Sequence, residues 1–406
     1  MTFIGSEAFV RLVEVFTLQA GYNANTVMAG TAVLGAAAGV VGTFVFLRGR
    51  ALISDALSHA TLPGIVLAFL AGSALGFQTR SLPLLLVGAT LSGLVGVLAM
   101  HALTRIRRIT EDAAIGAVLG SFFGLGVVLL SYVQTLSAGG QAGLHHFLLG
   151  QAAAMARSEA ITIAVLAAFA LILVVLFFKE FRLAAFDREF AAGIGWPVSA
   201  IDLGMAALGV AVTVIGLQTV GLVMIVALLV VPPVAARFWS NDVKVIALVA
   251  GVVGAFSAFT GAAASYAFTS VPTGAAIVLA AGAFAVFSLF FAPKRGIIGV
   301  AFAALRFRLD LAQARWLSSV AKGNEAAPRD PLVRAYLRMA GLTGGAGMPT
   351  AAARASAPEV SRNLDLWIAA LARRPESVPP GVRFGIDRAR DVLPSDLIAE
   401  IEGRAA

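Results

Sequence analysis

Residues 28–47 read Met-Ala-Gly-Thr-Ala-Val-Leu-Gly-Ala-Ala-Ala-Gly-Val-Val-Gly-Thr-Phe-Val-Phe-Leu, and Arg48-Gly49-Arg50 follow. This run of 20 residues carries no charge. As a helix it rises about 30 Å, the thickness of a bilayer's hydrocarbon core. Two arginines close it, as expected for a spanning helix that ends on the cytosolic side. Eight further apolar runs follow, at approximately 57–76, 83–104, 113–134, 161–178, 199–216, 218–236, 245–264 and 273–292. Runs six and seven nearly touch between Gly216 and Gly221, which leaves eight spans as the alternative to nine. Residues 8–20 are apolar but short and hold Arg11 and Glu14, so they predict an interfacial helix. No basic n-region or small-residue cleavage site precedes them, so no cleaved leader is expected.

Composition agrees with this reading. Of 406 residues, 59% are hydrophobic and 13% charged, against roughly 25% charged in soluble domains. Too little polar surface is present to cover one large water-soluble globule. The absence of Cys excludes a disulfide scaffold, a thiol nucleophile and a Cys-ligated zinc site. Four His are too few for a His-rich cage. The charges divide at about residue 300. The first 300 residues hold 15 Lys/Arg and 11 Asp/Glu, and the last 106 hold as many again. A polytopic core is therefore followed by a segment of soluble composition.

Orientation follows from the loops. With Arg48 and Arg50 inside, the same side gains Arg105, Arg107, Arg108, Lys179, Arg182, Arg188, Arg237, Lys244, Lys294 and Arg295. The other side holds Arg11, Arg80 and Arg157. The bias puts the start of the chain outside and the tail in the cytosol. It also accounts for the high pI without a nucleic-acid partner, and none is expected. The abundant Gly, as in Gly88/Gly93/Gly96 and Gly251/Gly254/Gly261, suits close helix packing in lipid.

Ionisable groups at membrane depth require a reason. Asp55 and His59, four residues apart, share one helix face. A carboxylate and an imidazole so placed can hold a divalent transition metal, or form an Asp–His hydrogen bond with Asp55 capping the helix. Pro63 deprives the His59 carbonyl of its helical donor. Pro232 and Pro233 do the same for Leu228 and Leu229, marking either a helix break that lines a path or a packing kink. His145 and His146 sit in the long outer loop 135–160, as contacts for incoming metal or as a solvated pair. His101 reads as packing. Glu111 and Asp112 suit the positive end of a helix dipole. The loop 179–197 predicts a short helix ended by Gly193 and Gly195. Phe186, Phe190 and Ala191 recur in it at helical spacing and suit the membrane surface or a partner groove. No phosphate-binding loop is found, so ATP drive would need another chain.

The stretch Arg50-Ala51-Leu52 through Asp55-Ala56-Leu57-Ser58-His59-Ala60-Thr61-Leu62-Pro63-Gly64 resembles the signature of the permease family of ABC importers for manganese, zinc and iron. Three further stretches are similar to that family in the same order: Glu111–Gly116, Val220–Arg237 with its Leu-Leu-Val-Val-Pro core, and Val271-Pro272-Thr273-Gly274 running to Phe291–Gly296. The resemblance covers about 28–297. It implies an all-α polytopic membrane protein of eight or nine transmembrane helices in the cytoplasmic (inner) membrane. It further implies a permease dimer, with itself or a paralogue, two cytosolic ABC ATPase subunits below and an extracytoplasmic metal-binding protein above. Asp55 and His59 would coordinate the passing metal, with manganese favoured over zinc or iron and no permanently bound cofactor. Phe186, Asp187, Arg188, Glu189, Phe190, Ala191 and Gly193 would form the helix that docks on the ATPase. The expected mechanism is alternating access. An ABC permease for a bulkier chelate or cobalamin, and a secondary metal/proton transporter, are the alternatives.

The expected domains are 1–27, an extracytoplasmic or interfacial segment; 28–297, the permease; and 298–406, a small, mostly helical cytosolic extension. The extension carries a basic amphipathic stretch, Leu305 to Val320, expected on the inner leaflet. A linker follows, then Asp330 to Leu342, Val360 to Leu371 and Leu393 to Ile401. These short helices suit a small helical or winged-helix module, weakly similar to the ends of some metal-responsive repressors.

Overall fold

The computed structural model describes the chain from Val13 to Gly403, apart from residues 16, 18, 20, 49–50, 76–81, 107, 136–154, 218, 269–270, 294, 346, 380–381 and 383–386. It forms two compact units, Met1–Gly296 and Ile297–Ala406. Among the described residues both are helical, with one isolated bridge, Thr343 to Pro349, and no longer strand.

The first unit contains α1 (Tyr22–Leu47), α2 (Ala51–Ala74), α3 (Leu82–Thr104), α4 (Glu111–Thr135), α5 (Arg157–Leu176), α6 (Phe178–Phe186), α7 (Arg188–Gly193), α8 (Val198–Leu217), α9 (Leu222–Arg237), α10 (Val243–Ala267) and α11 (Thr273–Phe291). Eight of these, α1–α5, α8, α10 and α11, are long and apolar enough to cross a bilayer. The expected run 218–236 forms a helix of only 16 residues, about 24 Å long at 1.5 Å per residue. It is separated from α8 by a tight reversal. Gly221 takes φ +91° there, a left-handed conformation that glycine adopts without strain. Only fragments of the predicted interfacial segment 8–20 are described. Of these, Val13–Val15 is helical and Val15 packs on Met28, Ala262 and Ala263.

Two helices organise the bundle. Helix α1 packs against α5, α8, α9 and α10, and α2 against α3, α4, α8 and α9. Lipid supplies no hydrophobic drive between helices, so contact depends on close backbone approach. Gly35 of α1 faces Gly254 of α10 so closely that a Cβ on Gly35 would stand 2.3 Å from the Gly254 carbonyl oxygen. Gly64 and Gly88 make the same approach between α2 and α3, at 2.0 Å.

The prolines differ from expectation. Helix α2 runs unbroken through Pro63, and α9 through Pro232 and Pro233. All three are buried within the bundle. A Cβ on Gly42 of α1 would lie 1.9 Å from the Leu229 carbonyl oxygen, the group freed by Pro233. That carbonyl is therefore packed against a neighbouring backbone. Helix α9 is continuous through Pro232-Pro233.

The second unit comprises α12 (Ile297–Ala321), α13 (Pro331–Met339), α14 (Ala351–Arg373), a 3₁₀ turn at Pro375–Ser377, α15 (Ala389–Val392) and α16 (Ser395–Ile401). Trp316, Leu317, Val320, Leu337, Ala353 and Ala357 form one core. Trp367 centres a second with Leu366, Ala370, Ala389, Leu393 and Leu397. The Trp367 indole and the Asn363 amide both donate to the Asp387 carbonyl, at 3.1 and 2.8 Å. Arg354 donates to both carboxylate oxygens of Glu325, at 2.7 and 2.9 Å, and holds that carboxyl below its ordinary pKa. Helix α14 begins nine residues before the expected Val360, because Thr350 caps it and it runs through Pro358. The expected amphipathic stretch Leu305–Val320 is also revised. Its second half is core to this unit, with Asp310, Ala314, Trp316, Leu317, Ser318 and Val320 buried.

Glycine substitutions check the packing. Gly35→Ala is expected to destabilise the purified protein by about 1–3 kcal/mol through overpacking. Gly204→Ala in α8, where a Cβ meets nothing within 4 Å, is expected to be neutral or stabilising by up to about 1 kcal/mol. Thermal unfolding in detergent compares the two.

Candidate functional site

Helix α2 places Asp55 and His59 one turn apart, with Asp55 Oδ1 3.4 Å from His59 Nε2. Asp55 is the fifth residue of α2, a full turn inside the helix, so it does not act as the N-cap. The His59 side chain is 15% exposed and that of Asp55 42%. The pair thus opens to one side of the bundle.

The surrounding hydroxyl groups are committed to backbone. Ser58 donates to the Asp55 carbonyl at 2.8 Å, Thr61 to the Ser58 carbonyl at 2.6 Å, and Ser92 of α3 to the Ala60 carbonyl at 2.6 Å. The His59 ring lies edge-on to Phe123 of α4, with centroids 4.7 Å apart. Its Nδ1 is buried and has no hydrogen-bond partner among the described residues. The Nε2–Oδ1 separation exceeds an ordinary N–H···O bond. The carboxylate and imidazole are therefore paired loosely, with donor capacity left for a third body. Such oxygen and nitrogen donors suit a divalent first-row cation. Among the described residues no group of three or more His, Asp and Glu gathers in one place.

A second site lies at the Arg48 end of α1. Asp202, in the first turns of α8, forms an ion pair with Arg48, and both side chains are only 8% exposed. Arg48 also donates to the Ala184 carbonyl of α6 at 3.4 Å. Arg188, the first residue of α7, approaches the other Asp202 oxygen at 3.6 Å. One carboxylate thereby ties α1, α6, α7 and α8 together. Beside it a polar cavity of about 290 Å³ is lined by His101, Arg105, Glu111, Arg188 and Asp202, among others. Arg105 donates to His101 at 3.3 Å, so His101 has a polar neighbour one turn away.

Helix α7 is separated from α6 by Asp187, whose carboxylate caps it by accepting from the Phe190 N–H at 2.8 Å. The predicted loop helix is thus two helices with a bend at Asp187. Ala191 is fully buried and anchors α7, whereas Phe186 and Phe190 are 60% and 56% exposed. Gly195, at φ +86°, turns the chain into α8. His145 and His146 lie outside the described residues.

In the sequence Arg48 marks only orientation, and Asp202 belongs to none of the motifs. The available signal was an acidic residue inside the apolar run 199–216, which calls for a partner.

The sequence matches the ABC 3 transport family over residues 22–292. The chain belongs to that family. Among family relatives, it is 43% identical over 286 residues to the "Manganese transport system membrane protein MntC" of Bacillus subtilis. That match covers 70% of this chain and 65% of the relative. It is 40% identical over 291 residues to the "Zinc transport system membrane protein TroC" of Treponema pallidum, covering 72% of this chain and 94% of the relative. Among solved structures, PsaBC from Streptococcus pneumoniae in complex with Fab is similar with a TM-score of 0.60 and 30% identity, over 70% of this chain and 97% of that one. The family region includes both sites described above and ends before the second compact unit begins.

The buried ion pair gives a ranked prediction. Asp202→Ala leaves Arg48 buried without its carboxylate and is expected to cost about 3–5 kcal/mol. Arg188→Ala removes a half-exposed partner and is expected to cost about 0–1 kcal/mol. The double variant Arg48→Met/Asp202→Leu is expected to recover most of the loss. Unfolding in detergent measures all three.

Proposed function

We propose that the chain is the membrane permease subunit of an ATP-driven importer of divalent transition metal ions in the cytoplasmic membrane, with its C-terminal unit in the cytosol. Manganese is the favoured cargo, with zinc and iron as the other candidates. The observation that carries this reading is the Asp55–His59 pair, half open on an apolar bundle and without the donors to complete a shell. Family membership supports it, as do relatives whose names specify manganese and zinc transport. The absence of Cys in the sequence removes the thiolate that would favour softer metals.

An incomplete shell needs a second contributor. Gly116, Gly120 and Gly124 form an exposed stripe on α4 where a Cβ would meet nothing within 4 Å. Phe123, adjacent in sequence to that stripe, touches His59. A second permease chain seated on the stripe would bring another Asp–His pair toward the first, giving four side-chain donors. Two chains can close around an ion and then part, which is alternating access. Binding that is too strong would trap the ion, so a site assembled transiently suits passage. The exposed Phe186 and Phe190 beside α7 form the apolar contact that would dock on an ATPase subunit, while an extracytoplasmic binding protein would deliver the metal. Asp202 connects the docking helix to α1 and α8, so movement at α7 would reach the bundle.

Reconstitution in vesicles with the ATPase and binding protein tests this reading, by following uptake of manganese, zinc and iron. Uptake is expected to require ATP. Asp55→Ala and His59→Ala are each expected to lower it by more than the roughly 10- to 100-fold that even an outer-sphere change costs. Uptake without the ATPase, or normal transport by both variants, would refute it. Gly120→Leu is expected to leave the monomer's melting unchanged but to abolish the dimer in detergent, read by light scattering.

A further inference from the structure

Helix α12 changes character halfway along. From Asp310 onward one side is buried in the core of the second unit. Before it, Ile297, Ile298, Val300, Phe302, Leu305 and Phe307 are all 42–64% exposed. At 3.6 residues per turn these six side chains cover a broad arc of about 220°, and Gly299, Ala303 and Arg306 occupy the remaining side. A wide apolar face with an arginine on the opposite side suits a helix that lies in the membrane interface. Left in water, so continuous an apolar surface would favour aggregation.

The flanking residues indicate which medium. Helix α11, the last apolar helix, ends at Phe291, and only residues 292–296 separate it from α12. Lys294 and Arg295 lie in that link, and Arg306 and Arg308 close the apolar half. The segment Ile297–Phe307 is about 17 Å long as a helix, too short to span a bilayer but suited to lying in its interface. Its arginines can extend to the headgroups while their methylene stems stay in the apolar layer.

We propose that Ile297–Phe307 is a membrane-interfacial helix, inserted at the headgroup–acyl boundary of the leaflet where α11 ends, with Arg295, Arg306 and Arg308 on anionic lipid headgroups. Because α12 continues without interruption to Ala321, the helix that enters the lipid also carries Trp316 into the core of the second unit. The inference rests on the membrane reading of the family region and is independent of the cargo.

The chain has no Cys, so single cysteines can be labelled in the full-length protein without other changes. Ile298→Cys, Phe302→Cys and, as a control on the exposed part of the second half, Arg315→Cys would carry an environment-sensitive fluorophore. The protein would be placed in nanodiscs of phosphatidylcholine with or without phosphatidylglycerol. Labels at 298 and 302 are expected to emit to the blue and to be quenched by lipids bearing a doxyl group near the headgroup. The label at 315 is expected to remain water-like. Omitting phosphatidylglycerol, or the double change R306E/R308E, is expected to reduce the quenching at 302. Labels at 298 and 302 that respond only to aqueous iodide would overturn the proposal. So would nitroxide labels at 302 that broaden one another without lipid quenching, since the segment would then be a contact between two copies. Elution as a single species by size exclusion confirms that each labelled variant is folded.

Discussion

In hydrocarbon no water is available to satisfy a backbone N–H or C=O, so every such group must find its partner within the protein. This constraint makes the family region a bundle of helices and fixes how the helices meet. Apolar surface is not hidden from water by helix association there, so backbone proximity provides the attraction. The approaches of Gly35 to Gly254 and of Gly64 to Gly88 are its direct expression. The Leu229 carbonyl, deprived of its helical donor by Pro233, is accommodated by the missing side chain of Gly42. A proline that would weaken an isolated helix becomes a feature of helix packing.

The same constraint governs the few ionisable groups. Asp202 and Arg48 are nearly inaccessible and neutralise each other, so they serve architecture, gathering the ends of four helices. Asp55 and His59 are held apart from full pairing and open on one side. One pair is closed and the other open, although both lie in apolar runs.

The sequence carried the order and approximate positions of the long helices, since a charge-free run of 20 residues has few other structures to adopt. It also exposed Asp55 and His59, because a four-residue spacing fixes a common face. It did not reveal Asp202 as a hub. Its partner Arg48 is 154 positions away, and nothing local announces that they meet. The bend at Asp187 was likewise hidden, because the residues on both sides are good helix formers and the cap is visible only once the Phe190 N–H is seen to point at the carboxylate. In the second unit, α14 starts before the expected Val360, because the Thr350 cap lies upstream and the helix runs through Pro358.

Periodicity and charge are local properties, and local properties determined what this chain could do without its neighbours: form apolar helices, end them at basic loops, and follow them with a segment of soluble composition. Tertiary structure decided which polar groups were spent and which were left open. It buried Asp202, half exposed Asp55, packed the prolines inside the bundle, and divided α12 into a half with an exposed apolar face and a core-forming half. Those outcomes depend on which helices are adjacent in space. Adjacency is set by the summed packing of distant segments, which no single stretch of sequence encodes.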